Sequence, residues 1–218
     1  LKKTKDKHYT TEISLFNLEI NFDPIVFKGY CLRILEETLR SKIDKLNQIA
    51  HKQKGQLILA GILPTIRSID LDKKNLTPLP RYKLLNNALN KMRGGPFELR
   101  IENTDELITK HDSIMFEGCN TSFQIHFQID PENSVRSYNW AHVIAAPVLA
   151  AATNSPLLLG KRLWNETRIA LFHQSIDTRN LSSDLRRLNS RVTFGSRWVE
   201  DSITEVFKEK ITRYRVLL

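Results

Sequence analysis

TSFQIHFQID, residues 121–130, alternates without a break: Phe123, Ile125, Phe127 and Ile129 fall on one side, Ser122, Gln124, His126 and Gln128 on the other. A period of two is the signature of a β-strand with one apolar face. Strands that are wet on one side usually carry long charged side chains there, because these solvate well. Here the polar side offers amides and an imidazole. Such groups hydrogen-bond at short range, which suits the floor of a polar cleft, although a solvated face without charge has the same pattern.

Working outward, Asp130-Pro131 ends the stretch, and the residues from about 132 to 152 predict a long apolar helix that Pro147 kinks. Asn154-Ser155-Pro156 breaks it, Gly160 marks a second turn, and order resumes over Leu163 to Ser175. The tail predicts an amphipathic helix over Val199 to Lys210 and a strand-like end from Arg213 to Leu218. Upstream, Phe97 to Ile101 reads as a strand, with an ambiguous connection to 117, and Pro80 opens a helix through Met92. QLILAGIL, residues 56–63, reads as a buried strand between Gly55 and Pro64. Leu32, Leu35, Leu39, Ile43, Leu46 and Ile49 recur at three and four, predicting a helix from Phe27 to Lys54 that Gly55 stops. Residues 10–22 read as extended, with Asp23-Pro24 as a turn.

Strands thus stand singly between helices, without βαβ repetition or a Gly-rich phosphate loop. That points to one α+β domain and removes the Walker and Rossmann readings. The 218 residues, 41% of them hydrophobic, suffice for a sizeable core. Cys31 and Cys119 have no metal-ligand spacing, so no zinc site and no disulfide framework is expected, and a reducing, cytoplasmic setting is the default. The most apolar run, Val143 to Ala152, is too short to span a membrane, and no signal peptide is visible. The chain opens on LKKTKDKH without Met, as a fragment would. A net charge of +9 suits a nucleic acid, nucleotide phosphate or anionic metabolite. Its basic residues are dispersed, with clusters only at Lys2–Lys7 and Arg186–Arg191, which makes nucleic acid the weaker alternative.

Several side chains carry potential chemistry. Glu19, between Leu18 and Ile20, shares its strand face with Asn17 and Asn21, a row of oxygen donors suited to a hard cation. Glu12 lies seven residues earlier, on the opposite face of a regular strand, so the two acids converge only through a bulge or bend. Glu166 and Arg168 share a face on a strand but are about 200° apart on a helix. Side by side they would serve a metal and a phosphate, or form a plain ion pair. Lys161, Arg162, Arg81 and Tyr82 sit beside turns. His8, His51 and His111 fall in charged segments, while His142 and His173 sit in apolar ones and read as structural.

In order and separation, four pieces resemble the glutamate-cysteine ligase family, ATP-dependent carboxylate-amine ligases of the glutamine synthetase-like superfamily. They are TTEISLFNLEINFDP, GQLILAGILPTI with TPLPRYKLL, CNTSFQIHFQID, and AAATNSPLLLGKRLWNETR, together spanning about Thr10 to Phe172. The resemblance implies an antiparallel sheet forming a cleft backed by helices. It implies Glu19 and Glu166 as magnesium ligands, Glu12 at the edge of the metal cluster and Gln124 near the metal. Arg168 would contact the ATP γ-phosphate, with Lys161 and His126 assisting at phosphate or substrate, and Arg81 and Tyr82 at the substrate end. The implied reaction joins glutamate, or a similar carboxylate, to an amine such as cysteine through an acyl phosphate, with Mg2+ as cofactor and ATP as co-substrate. The family's opening E-x-E strand has no counterpart in residues 1–9, so a non-catalytic nucleotide- or metabolite-binding relic of the fold is the alternative.

Overall fold

The computed structural model describes residues 6–179 and 190–214. In chain order it contains β1 (Tyr9–Thr11), β2 (Leu18–Ile20), α1 (Cys31–His51), α2 (Pro80–Arg93), β3 (Phe97–Glu102), β4 (Glu106–His111), α3 (Ser134–Ala151), β5 (Leu157–Leu158), β6 (Lys161–Arg162), α4 (Thr167–Ser175) and α5 (Thr204–Arg213). Short 3-10 turns join them, among them Ile114–Cys119. The strands pair as three antiparallel hairpins, β1 with β2, β3 with β4 and β5 with β6. The class is α+β, as the absence of βαβ repetition requires.

FELRIE obeys its alternation in full. Phe97, Leu99 and Ile101 are buried while Glu98, Arg100 and Glu102 face out. The buried row packs with Leu107 of β4, Met115, Phe116 and Cys119 of the 3-10 turn, Leu158 and Leu163 around the β5–β6 hairpin, and Ala170 and Leu171 of α4. Each large side chain fully removed from water here contributes about 1.5–3 kcal/mol. Next to this core, Tyr82 and Leu89 of α2 close over Ile114. Pro80 stands in the first turn of α2, and Gly94 ends the helix at φ 77°, a left-handed cap that glycine adopts without cost.

Two sequence expectations fail, for the same reason. The run 56–63 is irregular rather than a buried strand: Ile58 and Leu59 are exposed, and pairing is confined to an isolated Ile62–Asn120 bridge and the bonds of Gly61. Residues 121–130 form no ladder either, and Phe123, Ile125, Phe127 and Ile129 are all exposed. Alternation specifies which side chains share a side. It does not supply the neighbouring strand that would complete the ladder, and among the described residues neither segment has one. Residues 10–22 differ in another way, turning back at 13–17 to make the β1–β2 hairpin with Thr10 opposite Glu19.

The expected helices appear with shifted ends. α1 starts at Cys31 rather than Phe27, and the tail helix runs from Thr204 to Arg213, so Arg213 is helical and not strand-like; 215–218 lie outside the described residues, as do most of the two basic clusters. α3 contains Pro147 and buries none of its residues. It is held by a reciprocal pair in which Asn139 Nδ2 donates to the Val199 carbonyl (2.8 Å) and the Val199 amide donates to Asn139 Oδ1 (3.1 Å). Cys31 and Cys119 are both free thiols and both buried.

The core assignment sets a contrast across one hairpin. Leu99→Ala, at a site with no exposure, is expected to cost about 2–5 kcal/mol in urea denaturation. Ile108→Ala, on the open side of β4, should stay within about 0.5 kcal/mol.

Candidate active site

The β1–β2 hairpin resolves the spacing of seven between Glu12 and Glu19. Thr10 pairs directly with Glu19, so both point to one face, and Glu12 follows just past the end of β1. Thr10 Oγ1 donates to Glu19 Oε2 (3.0 Å), and the Ile13 amide donates to Glu12 Oε2 (3.1 Å). Arg81, in the first turn of α2, donates from Nη2 to the Tyr82 hydroxyl (2.5 Å) and lies over the Tyr82 ring at 4.6 Å. The Tyr82 hydroxyl chiefly, and the Glu12 and Glu19 carboxylates more weakly, hold Arg81 above its ordinary pKa. Thr10, Glu19, Asn21 and Arg81 line one open depression of about 520 Å3. Glu19 and Arg81, from separate segments, thus line one surface, with the Glu12 carboxylate within electrostatic reach of Arg81.

The hairpin is pinned from below. Ser14 Oγ and Asn17 Nδ2 both donate to the Gly118 carbonyl, at 2.9 and 2.7 Å, and the Thr77 amide donates to the Ile13 carbonyl (2.8 Å). Gly118 has to be glycine because a Cβ there would overlap Ser14 Oγ. Beside it lie two residues that the sequence reading passed over. Glu117 Oε2 and both amide atoms of Asn120 are buried with no hydrogen-bond partner among the described residues. Burial, with the Glu12 charge adding to it, pushes the Glu117 carboxyl up to about 7. Burial and then Glu117 push the Cys119 thiol up to about 12, which makes it inert. The one available signal for Glu117 was a lone acid inside the apolar run SIMFEGC.

The second constellation is built around the start of α4. Glu166 does not enter that helix but precedes it at φ −128°, so neither the strand nor the helix rule governs the E-x-R spacing. Arg168 reaches back and grips its carboxylate at both oxygens, Nε to Oε1 (2.5 Å) and Nη2 to Oε2 (2.7 Å). Ser155 Oγ also donates to Oε1, and the Asn154 amide to Oε2 (3.3 Å). Burial opposes the charge on Glu166, but Arg168 and Ser155 outweigh it and hold the carboxyl below its ordinary range. The third arm of Arg168, Nη1, donates to the Thr121 carbonyl (2.6 Å). A Cβ at Gly61 would meet Arg168 Nε at 2.7 Å and the Asn154 carbonyl at 2.9 Å.

The remaining expected residues stand apart. Lys161 is exposed in β6, after the turn made by Leu159 (φ 51°) and Gly160 (φ 75°). Gln124 Nε2 donates to Ser122 Oγ (3.0 Å), and His126 Nε2 lies 3.4 Å from Gln124 Oε1, all three exposed. These successive i, i+2 contacts keep Ser122, Gln124 and His126 on one side, as alternation predicts. No group of three or more His, Cys, Asp or Glu able to hold a metal forms among the described residues. The hairpin acids nonetheless suit magnesium, which often takes only one or two protein carboxylates and completes its shell with water and phosphate oxygens. Glu166, as arranged, is satisfied by Arg168 instead.

Gly61→Ala is expected to cost about 1–3 kcal/mol in thermal or urea denaturation, since both atoms it strikes are held by other bonds. For Glu117 the folded pKa lies above the unfolded value, so the native state holds the proton more tightly. Its penalty is absent in acid, grows as pH rises above the ordinary carboxyl pKa and is complete beyond about 7. Glu117→Gln should therefore change stability little at about pH 4 and raise it by roughly 3 kcal/mol at about pH 8, read from paired urea curves.

The model of Glutamate-cysteine ligase family 2 matches residues 2–201. No curated protein and no solved structure matches the chain. That match takes in the hairpin acids, the RY segment, the 121–130 stretch and the Glu166–Arg168 pair: the chain belongs to the glutamate-cysteine ligase family.

Proposed function

We propose that this chain is an ATP- and magnesium-dependent carboxylate-amine ligase that joins glutamate, or a close analogue, to a small amine such as cysteine through an acyl phosphate. Family membership gives the reaction class, carboxylate-amine ligation. The observation that carries the rest is the hairpin turn, which brings Glu12 and Glu19 both within the electrostatic reach of Arg81. Magnesium held there would neutralise phosphate oxygens that must approach a carboxylate of like charge.

The chain's own groups divide the remaining work. Arg168 serves the transferring phosphoryl, since a planar guanidinium matches its oxygens as it matches Glu166 now. With Arg168 on phosphate, the Glu166 carboxylate would be free to join Glu19 in holding magnesium, with Glu12 at the periphery and Gln124 near the metal. Lys161 and His126 assist at the phosphates by charge and hydrogen bonding; an imidazole suits this better than magnesium ligation. Arg81, braced by Tyr82, holds the substrate carboxylate. A second reading is kept alive by the closed Glu166–Arg168 pair: a protein that binds nucleotide or metabolite without turnover.

ADP release from ATP, glutamate and a panel of amines, with and without magnesium, is expected to be magnesium-dependent. Arg168→Lys, folded as judged by its melting curve, should lower kcat by about 10²–10³. Saturable ATP binding with no ADP release for any amine would favour the second reading instead.

A further inference from the structure

Ser155 stands in the turn between α3 and β5 with no exposure to water at all. Building on the ligase reading above, we propose that it is a positioning residue, its hydroxyl keeping the Glu166 carboxylate aimed at magnesium once Arg168 has moved to phosphate. Its backbone is committed to the entry of α4. The Ser155 amide donates to the Asn165 carbonyl (3.3 Å), the Thr167 amide donates to the Ser155 carbonyl (3.2 Å), and residues 155 and 166 form an isolated parallel bridge.

The hydroxyl has little rotational choice. Glu166 occupies the N-cap position of α4 and makes no side-chain capping bond there. Amides in the first turn of a helix need acceptors from outside it. Ser155 Oγ supplies one, accepting from the Arg168 amide (3.3 Å), so that a separate segment delivers the cap. A hydroxyl has a single proton, and with its oxygen turned to that amide the proton goes to Glu166 Oε1.

An ionised carboxylate has about four acceptor sites. On Glu166 two are taken by the guanidinium fork, Nε on Oε1 and Nη2 on Oε2. The other two are taken by the 154–155 turn, Ser155 Oγ on Oε1 and the Asn154 amide on Oε2 (3.3 Å). The two sets come from different segments, so one can leave while the other stays. With the fork withdrawn, the carboxylate offers magnesium one freed site on each oxygen while the remaining two are still held. Without the Ser155 donor, the long Asn154 bond alone would orient it. Hydrogen bonds to a ligating carboxylate govern metal affinity in this way. A hydroxyl serves the other proposed ligand alike, since Thr10 Oγ1 donates to Glu19 Oε2 (3.0 Å).

The test is calorimetric titration of the full chain with a non-hydrolysable ATP analogue at graded magnesium concentrations. Ser155→Ala should raise the magnesium needed for half-maximal analogue binding by about 10–100-fold. Half-maximal ADP release should move by the same factor, whereas kcat at saturating magnesium should fall far less. Ser155→Cys, close in shape but a weak donor, should lie between alanine and wild type. Added to Glu166→Gln, Ser155→Ala should shift the magnesium requirement no further. A purely structural serine predicts lower melting temperatures with an unshifted requirement, and that result would overturn the proposal, as would a full further shift in the Glu166→Gln background. Should the alanine variant fail to fold, an unshifted requirement in Ser155→Cys overturns it equally. Analogue binding by the wild type that ignores magnesium would instead overturn the ligase reading, and the role of Ser155 with it.

Discussion

Three separate stretches of chain are fixed by one guanidinium. Arg168, in the first turn of α4, holds both oxygens of Glu166 and the carbonyl of Thr121, and its plane leaves no room for a side chain at residue 61. The 154–155 turn closes onto the same carboxylate through Ser155 and the Asn154 amide. A partly buried ion pair of this kind is weak evidence for net stability, because desolvation offsets much of the attraction. Its yield is geometric: a bidentate fork has one good arrangement, and the segments it joins must meet that arrangement together. The same acid sits just before α4, where the helix dipole favours negative charge.

The hairpin acids and this pair are braced on opposite ends of a single segment. Gly118 accepts from Ser14 and Asn17 on the hairpin side, while Thr121, three residues on, is gripped by Arg168. Between them lie the Asn120 amide and close by the Glu117 carboxyl, buried polar atoms without described partners, at a cost of about 1–3 kcal/mol for each unsatisfied group. A fold optimised for stability alone would place an apolar side chain at 117. Retaining an acid there keeps a proton-binding group beside Glu12, on the segment that connects the two charged clusters.

Much of the scaffold was legible because its signals are local. FELRIE reports its own buried face, Pro80 and Gly94 punctuate α2, and apolar residues spaced by three and four mark α1. What was not legible depends on neighbours. The 56–63 and 121–130 runs have strand-like patterns but no ladder. Glu166 and Arg168 were readable as a strand pair or a separated helix pair, and the structure uses neither, because the helix begins between them. The convergence of Glu12 with Glu19 needed a turn at 13–17 that no Gly or Pro announces. Glu117 stayed invisible because its burial is set by packing around the 3-10 turn, not by any periodicity of its own.

The failures of pattern and structure to agree are not scattered. Exposed apolar side chains gather at 25–27, 58–59, 121–129 and along α3, and the residues expected to meet nucleotide alternate with them: Gln124 and His126 stand between Phe123, Ile125 and Phe127. Agreement between local signal and global environment is what a folded sequence ordinarily shows, and its breakdown tends to mark functional sites. In a strand the two sides are inseparable, since fixing one fixes the direction of the other. Whatever fixes the phenylalanine side of 121–129 therefore also orients the amide and the imidazole, and that segment starts at the Thr121 carbonyl that Arg168 grips.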